Sequence, residues 1–271
     1  MHSDVISYYE TYREQERLER GIGLLEFERT VDVLRRTLPP PPAVILDIGG
    51  GPGAYSCRLA AEGYETHLID PVPMHIQQAR WASSKQAVRP IASVELGDAR
   101  RLTQADGYAD AVLLMGPLYH LTKFEERRTA LAEARRVLTA GGVLIAAAIC
   151  RYASLFDGLY RGLIDDPRFP PVLNRDLKTG LHRNVSGNPE FFTEAYFHKP
   201  EELREEIRAA GFQNVRVLAA EGPGWLAADL DRRLGNAEER TQLLNLLREL
   251  EALPELLAAS PHLLAVASNR G

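Results

Sequence analysis

The chain has 271 residues, 45% of them hydrophobic and 25% charged, with a formal net charge of −5 at pH 7. That length suits one globular α/β domain with roughly 100 residues to spare, and the acidic balance weighs against nucleic acid, whose phosphates favour a basic face. Cys57 and Cys150 show no paired spacing, which argues against a disulfide framework, predicts no metal site and fits a reducing, cytoplasmic setting.

The amino-terminal MHSDVISYYETYREQERLER lacks the apolar core of a secretory signal. No apolar run approaches the ~20 residues of a bilayer span, so no membrane partner is expected. Residues 4–20 read as a polar helix carrying Tyr8, Tyr9 and Tyr12. A second helix follows Gly23, with Leu24, Phe27, Val31, Leu34 and Leu38 in one apolar stripe. Pro39–Pro42 end it, because proline lacks the N–H and restricts its predecessor. AVILDI (43–48) predicts a strand, followed by a glycine-rich turn and a helix through Ser56–Ala61. ETHLI (65–69) predicts a second strand and 73–84 a helix; IASVEL (91–96), ADAVLLM (109–115) and GVLIAAAI (142–149) are further strands. A helix over 123–138 lies between the last two, with Phe124, Leu131, Ala134 and Leu138 on one face and Gly141–Gly142 as its left-handed stop. Such alternation predicts βαβ units and a parallel sheet covered on both faces.

After Cys150 the pattern breaks, and 151–199 reads as an insertion. A helix starts at Pro200 and stops at Gly211. NVRVLAA (214–220) and HLLAVAS (262–268) close the sheet, and Leu243, Leu246, Leu250 and Leu253 predict a core-packing helix between them.

The sharpest motif is VILDIGGGPG, Val44–Gly53, at the end of the first strand. Glycine there lets backbone turn tightly and approach a ligand. The spacing of Gly49, Gly51 and Ala54, with Asp70 about 20 residues on, also allows a dinucleotide turn. Asp47 weighs against that: a pyrophosphate would be repelled by a carboxylate two residues before the first glycine. A ligand bearing an ammonium and a sulfonium reverses the sign. Asp47, Asp70 and Asp98 fall at the ends of three successive strands, where open α/β sheets bind ligands.

DIGGGPG (47–53), LIDP (68–71), LGDARRL (96–102), ADAVLLMGPLYHL (109–121) and RRVLTAGGVL (135–144) together resemble the class I S-adenosylmethionine-dependent methyltransferases. The resemblance is to the small-molecule branch related to the UbiE and "methyltransferase type 11" groups. It implies that Asp47 with Gly49, Gly50, Gly51 and Gly53 flanks the methionine moiety and that Asp70, beside Pro71, takes the ribose hydroxyls. It also implies that Asp98 and the Ala99 backbone hold the adenine and that Met115 and Gly116 close the pocket. S-adenosylhomocysteine would be the product.

Tyr119 and His120, just past the fourth strand, are the candidate catalytic pair. His120 is either a general base or a loop-holding hydrogen-bond partner. His182, Arg183, Tyr196 and His198 either line an acceptor pocket or pack a lid. Arg29 either pairs with the cofactor carboxylate or lies on a solvated face, and Tyr12 is a candidate cofactor cover. The expected α/β architecture is a seven-stranded, mostly parallel sheet with an antiparallel last strand and helices on both faces. Residues 1–38 form N-terminal helices over the cofactor site, 39–150 the Rossmann-like core and 151–199 an acceptor-side lid. Residues 200–271 complete the sheet around a helical insertion at 221–261; the lid draws on 1–30, 151–199 and part of 221–261. The expected acceptor is a small molecule, methylated on O or N, with a monomer or homodimer as assembly. An NAD-dependent oxidoreductase and a catalytically inactive cofactor-binding regulator are the alternatives.

Overall fold

The computed structural model describes residues 17–188 and 190–270. Nine strands form its sheet: β1 Val44–Ile48, β2 Glu65–Asp70, β3 Ser93–Leu96, β4 Ala109–Leu114, β5 Leu138–Cys150, β6 Leu181–His182, β7 Ala195–His198, β8 Gln213–Ala219 and β9 His262–Ser268. Five pair in parallel in the order β3-β2-β1-β4-β5. Strand β9 is antiparallel to both β5 and β8, so the seven-stranded core ends as its sequence predicts. The additional pair, β6 and β7, extends the end of β5: β4 pairs β5 only as far as Ala146, and β7 takes Ile149 and Cys150.

Strands buried on both faces need apolar residues at consecutive positions, and each face recruits different helices. Leu46, Ile48, Val112, Leu114 and Leu144 pack against α5 (Phe124–Val137) through Leu131 and Ala134, and against α8 (Pro200–Ala209) through Leu203 and Ile207. On the other face Ile45, Ala111, Leu113 and Ile145 meet Val31 and Leu34 of α1 (Gly21–Thr37) and Leu59 of α2 (Ala54–Ala61). Helix α3 (Pro73–Ser84) covers the β2 end through Ile76 and Ala79 against Leu68. The short α4 (Pro117–His120) follows β4. Residues 151–180 hold α6 (Ala153–Arg161) and α7 (Phe169–Thr179), so the aperiodic insertion is two helices and a hairpin. Among the described residues no helix is long and apolar enough to cross a membrane.

Two expectations change. Gly141–Gly142 do not stop a helix: α5 ends at Val137 and β5 begins at once. Leu138 pairs Ala109 and Val143 pairs Ala111, so residues 139–142 bulge out of the strand, with Gly141 at φ +84°. The leucine stripe also turns. In α10 (Ala237–Leu250) the inward residues are Leu243, Leu244 and Leu247, packed with Leu25 and with Leu234 of α9 (Leu230–Gly235), while Leu246 is exposed.

Arg29 is fully buried on α1. Its Nε donates to the Ala220 carbonyl at 3.1 Å, and its Nη atoms donate to Asp32 at 2.9 Å and to Glu251 at 2.5 Å. Arg36 adds two bonds to Glu251, at 2.7 and 2.9 Å. The network clamps α1 to the end of β8 and to the residue after α10. Removing one member of a buried ion pair strands the other, at about 3–5 kcal/mol. Glu251→Ala should lose that much in urea unfolding, and a loss below 1 kcal/mol would show that Asp32 alone suffices for Arg29.

Candidate active site

The carboxyl ends of β1, β2 and β4 open onto one cleft with a cavity volume of about 60 Å³. Its floor is the turn between β1 and α2. Gly49 has φ +76°, and a Cβ there would stand 2.6 Å from the Pro117 ring; one on Gly50 would stand 2.7 Å from Asp47 Oδ2. The turn is therefore pressed against both the post-β4 segment and its own acid.

Asp47 is completely buried beneath the turn. Its Oδ2 accepts from the Ser56 hydroxyl at 2.6 Å, and its Oδ1 has no hydrogen-bond partner among the described residues. Burial pushes its pKa up to about 6, with repulsion from Asp70 adding and the Ser56 hydroxyl opposing. Asp70, last residue of β2, is 4% exposed. Its Oδ2 accepts the Gly51 N–H at 2.9 Å; its Oδ1 faces the Val72 N–H at 2.9 Å and His75 Nδ1 at 3.0 Å. Asp98 lies two residues beyond β3. Burial would raise its pKa, but the Arg100 side chain and backbone N–H, bonded to it at 2.6–2.9 Å, hold it well below the usual carboxylate range.

The far wall is the segment after β4. Tyr119 donates to the Met115 carbonyl at 3.0 Å. The buried His120 ring lies 4.6 Å from the Tyr119 ring and 6.1 Å from Phe192, and is hydrogen-bonded to the Glu194 backbone. Burial pushes His120 down to about 3, against the raising effect of the Glu194 bond. The ring is neutral at physiological pH.

Residues 45–142 match a family model described as a methyltransferase domain. Residues 45–142 are thus similar to a methyltransferase domain. It is 30% identical over 177 residues to a malonyl-[acyl-carrier protein] O-methyltransferase of Geobacter sulfurreducens, covering 65% of this chain and 58% of that one. A ubiquinone/menaquinone biosynthesis C-methyltransferase of a Caulobacter species is 31% identical over 118 residues, 41% of this chain and 45% of that relative. The chain thus spans about half the length of these relatives. Among solved structures, a methyltransferase from Methanosarcina mazei superposes with TM-score 0.60 at 22% identity, covering 88% of this chain and 97% of that one.

The matched region gathers most of the residues singled out from sequence. Gly49, Gly51, Asp70, Pro71, Asp98 and Ala99 line the cleft, as do Gly116, Tyr119 and His120. Gly50, Gly53 and Met115 line a larger adjoining groove that shares Gly49, Gly51 and Tyr119. Asp47 sits behind the turn, and Tyr12 lies outside the described residues.

Other expectations are corrected. Arg29 does not reach the cleft, because its guanidinium is committed to Asp32, Glu251 and Ala220. The proposed acceptor residues do not converge on it either. His182 is buried between Asp176 (2.8 Å) and the Phe192 carbonyl (3.1 Å). Arg183 is exposed and paired with Glu194. Tyr196 lies under the Arg127 guanidinium at 3.9 Å, and His198 faces Glu206 at 3.4 Å. All four lie within the 151–199 insertion. The lowered His120 pKa weighs against a general-base role, since proton transfer is most effective when the pKa lies near the working pH.

Sequence reasoning missed His75, which is 4% exposed and lines the cleft. It also missed the stacked Phe27–Tyr55 pair, centroids 5.4 Å apart, in the adjoining groove.

The raised Asp47 pKa has a stability consequence with a definite sign. The folded protein keeps that proton up to pH about 6, whereas an unfolded Asp releases it near pH ~4. Stability is therefore lost as pH rises from about 4 to about 6. Asp47→Asn should stabilise the ligand-free protein at pH 7.5 by on the order of 1–3 kcal/mol, with no gain at pH 4. Urea melts at the two pH values measure this, and equal gains at both would remove the charge from the explanation.

Proposed function

We propose that this protein transfers a methyl group from S-adenosylmethionine to an oxygen or nitrogen of a small-molecule acceptor. The observation that carries the reading is Asp47 Oδ1, a buried carboxylate oxygen without a hydrogen-bond donor among the described residues, under a glycine turn. A ligand ammonium over the turn would be favoured by the carboxylate beneath it, while a dinucleotide pyrophosphate would be repelled by Asp47 and Asp70 together. The remaining donor set fits the same group: Asp70 suits a ribose diol, and Asp98 suits an exocyclic amine as acceptor. When bound, the sulfonium supplies an electrophilic methyl.

The chain's own residues then have modest work. Glycine backbone and the three acids bind and orient; Met115 of the adjoining groove and Tyr119, which lines both, face the acceptor side. A carbon acceptor would need a strong base to expose its electron pair. His120, neutral and weakly basic, supports instead a heteroatom with its own lone pair, such as a carboxylate or an amine. The likeness to a malonyl-carrier O-methyltransferase supports the same class. His120 in this reading orients the acceptor or its loop by hydrogen bonding.

Calorimetry with S-adenosylhomocysteine should give micromolar binding, with NADH silent, and Asp70→Ala should weaken it at least about tenfold through lost charge-assisted hydrogen bonds. NADH binding in place of the homocysteine ligand would overturn the reading. Once an acceptor is in hand, His120→Ala should slow turnover and His120→Gln should restore most of it, with rates flat in pH above about 5. No recovery in the glutamine variant would return His120 to the role of base.

A further inference from the structure

We propose that His75 is a positioning residue for the ribose-binding carboxylate, and so a determinant of how the site recognises the nucleoside. This rests on the reading above. His75 occupies the first turn of α3, is 4% exposed and lines the cleft wall. Its Nδ1 stands 3.0 Å from Asp70 Oδ1. Since that carboxylate is an acceptor, Nδ1 carries the proton and donates.

The bond is not needed to start the helix. The Val72 N–H already bonds the same Oδ1, and Pro73 brings no N–H of its own. What His75 adds is direction. Asp70 is held from three sides: Gly51 N–H on Oδ2, Val72 N–H and His75 Nδ1–H on Oδ1. A carboxylate offers about four lone-pair sites, so the three fixed donors determine where the remaining capacity points. Without His75, Oδ1 loses the one side-chain donor it has among the described residues and the carboxylate plane is less firmly held about χ2. A hydroxyl that finds its acceptor already aimed avoids that ordering cost.

The test uses the intact protein, S-adenosylhomocysteine and its 2′-deoxyribose analogue, by calorimetry. His75→Phe keeps an aromatic ring but has no donor; His75→Asn restores an N–H close to the Nδ1 position. His75→Phe should weaken S-adenosylhomocysteine binding roughly ten- to a hundredfold, the usual loss for a hydrogen bond to a charged group, while His75→Asn stays within about threefold of wild type. For the 2′-deoxy analogue the loss in His75→Phe should shrink by at least about threefold, because the two changes share one interaction. Equal losses for both ligands would overturn the proposal and leave His75 as a wall of the cleft. Unchanged affinity in His75→Phe, or no recovery in His75→Asn, would overturn it as well. Should His75→Phe not fold, His75→Gln, whose amide lies one bond further out, replaces it with the same expected coupling. If wild-type protein fails to bind S-adenosylhomocysteine at all, the functional reading falls first, and that is visible before any variant is made.

Discussion

One carboxylate, Asp70, joins the pieces that must meet for a nucleoside site to exist. It bonds the glycine turn through Gly51, closes the start of α3 through Val72 and takes the His75 ring. Those contacts come from two different βα units, the glycine turn before α2 and the start of α3. Their common point is the end of β2, which the register with β1 fixes: Asp47 pairs Leu68 and Ile48 pairs Ile69. The Gly49 N–H bonds the Ile69 carbonyl at 2.7 Å, so the turn is stitched to β2 by backbone as well. Preorganised dipoles of this kind act without reorganising when a ligand arrives. Their cost appears in Asp47, whose burial and nearness to Asp70 disfavour its ionised form.

Outside the cleft, buried charge is balanced by design of the opposite kind. Arg29 meets Asp32 and Glu251. Glu26, Glu221 and His262 form a second cluster, near the start of β9 and the end of β8. Burial would lower the His262 pKa, but Glu26 and Glu221 raise it to about 9. Its Nδ1, 2.5 Å from Glu221 Oε1, is therefore a donor. Those three side chains lie close together, and the His262 ring pairs with both carboxylates. The cluster reads as a clamp: it fastens α1 to the antiparallel edge, as Arg29 does one turn further along. In the cleft, Asp98 pairs with Arg100 and Asp70 faces His75, while the side chain bonded to Asp47 is the neutral Ser56 hydroxyl.

Much of this was legible in the sequence because parallel strands buried on both faces must be continuously apolar, and their carboxyl ends must be where polar residues begin. Asp47, Asp70 and Asp98 announced themselves by that rule. Gly141 misled because a glycine after a helix usually marks its stop; here it shapes a bulge within β5, a choice set by pairing with β4 and invisible locally. Arg29 carried a signal that went unread. It shares a helix face with Leu25 and Val33, four residues on either side, and a cation in that row demands buried carboxylates. His75 carried none: its role exists only once α3 has folded back against the end of β2. The sequence left His182, Arg183, Tyr196 and His198 undecided because aromatics interleaved with histidine look the same whether they face a ligand or each other.

That lid nevertheless bears on the chemistry. Strand β7 occupies the edge of β5 that β4 leaves vacant beyond Ala146, which brings the hairpin next to α4. His120 bonds the Glu194 backbone, and Phe192 lies between the His120 and His182 rings at 6.1 and 6.2 Å. His182 is fixed in turn by Asp176, which also takes the Ser154 hydroxyl at 2.6 Å. A chain of rings and hydrogen bonds thus runs from α6 and α7 to the wall of the cleft. Such a chain holds α4 in one position and keeps water from His120, which is why its pKa is low. Rigidity and weak basicity have the same origin here. A site built this way aligns an acceptor that is already nucleophilic; it is poorly equipped to create a nucleophile.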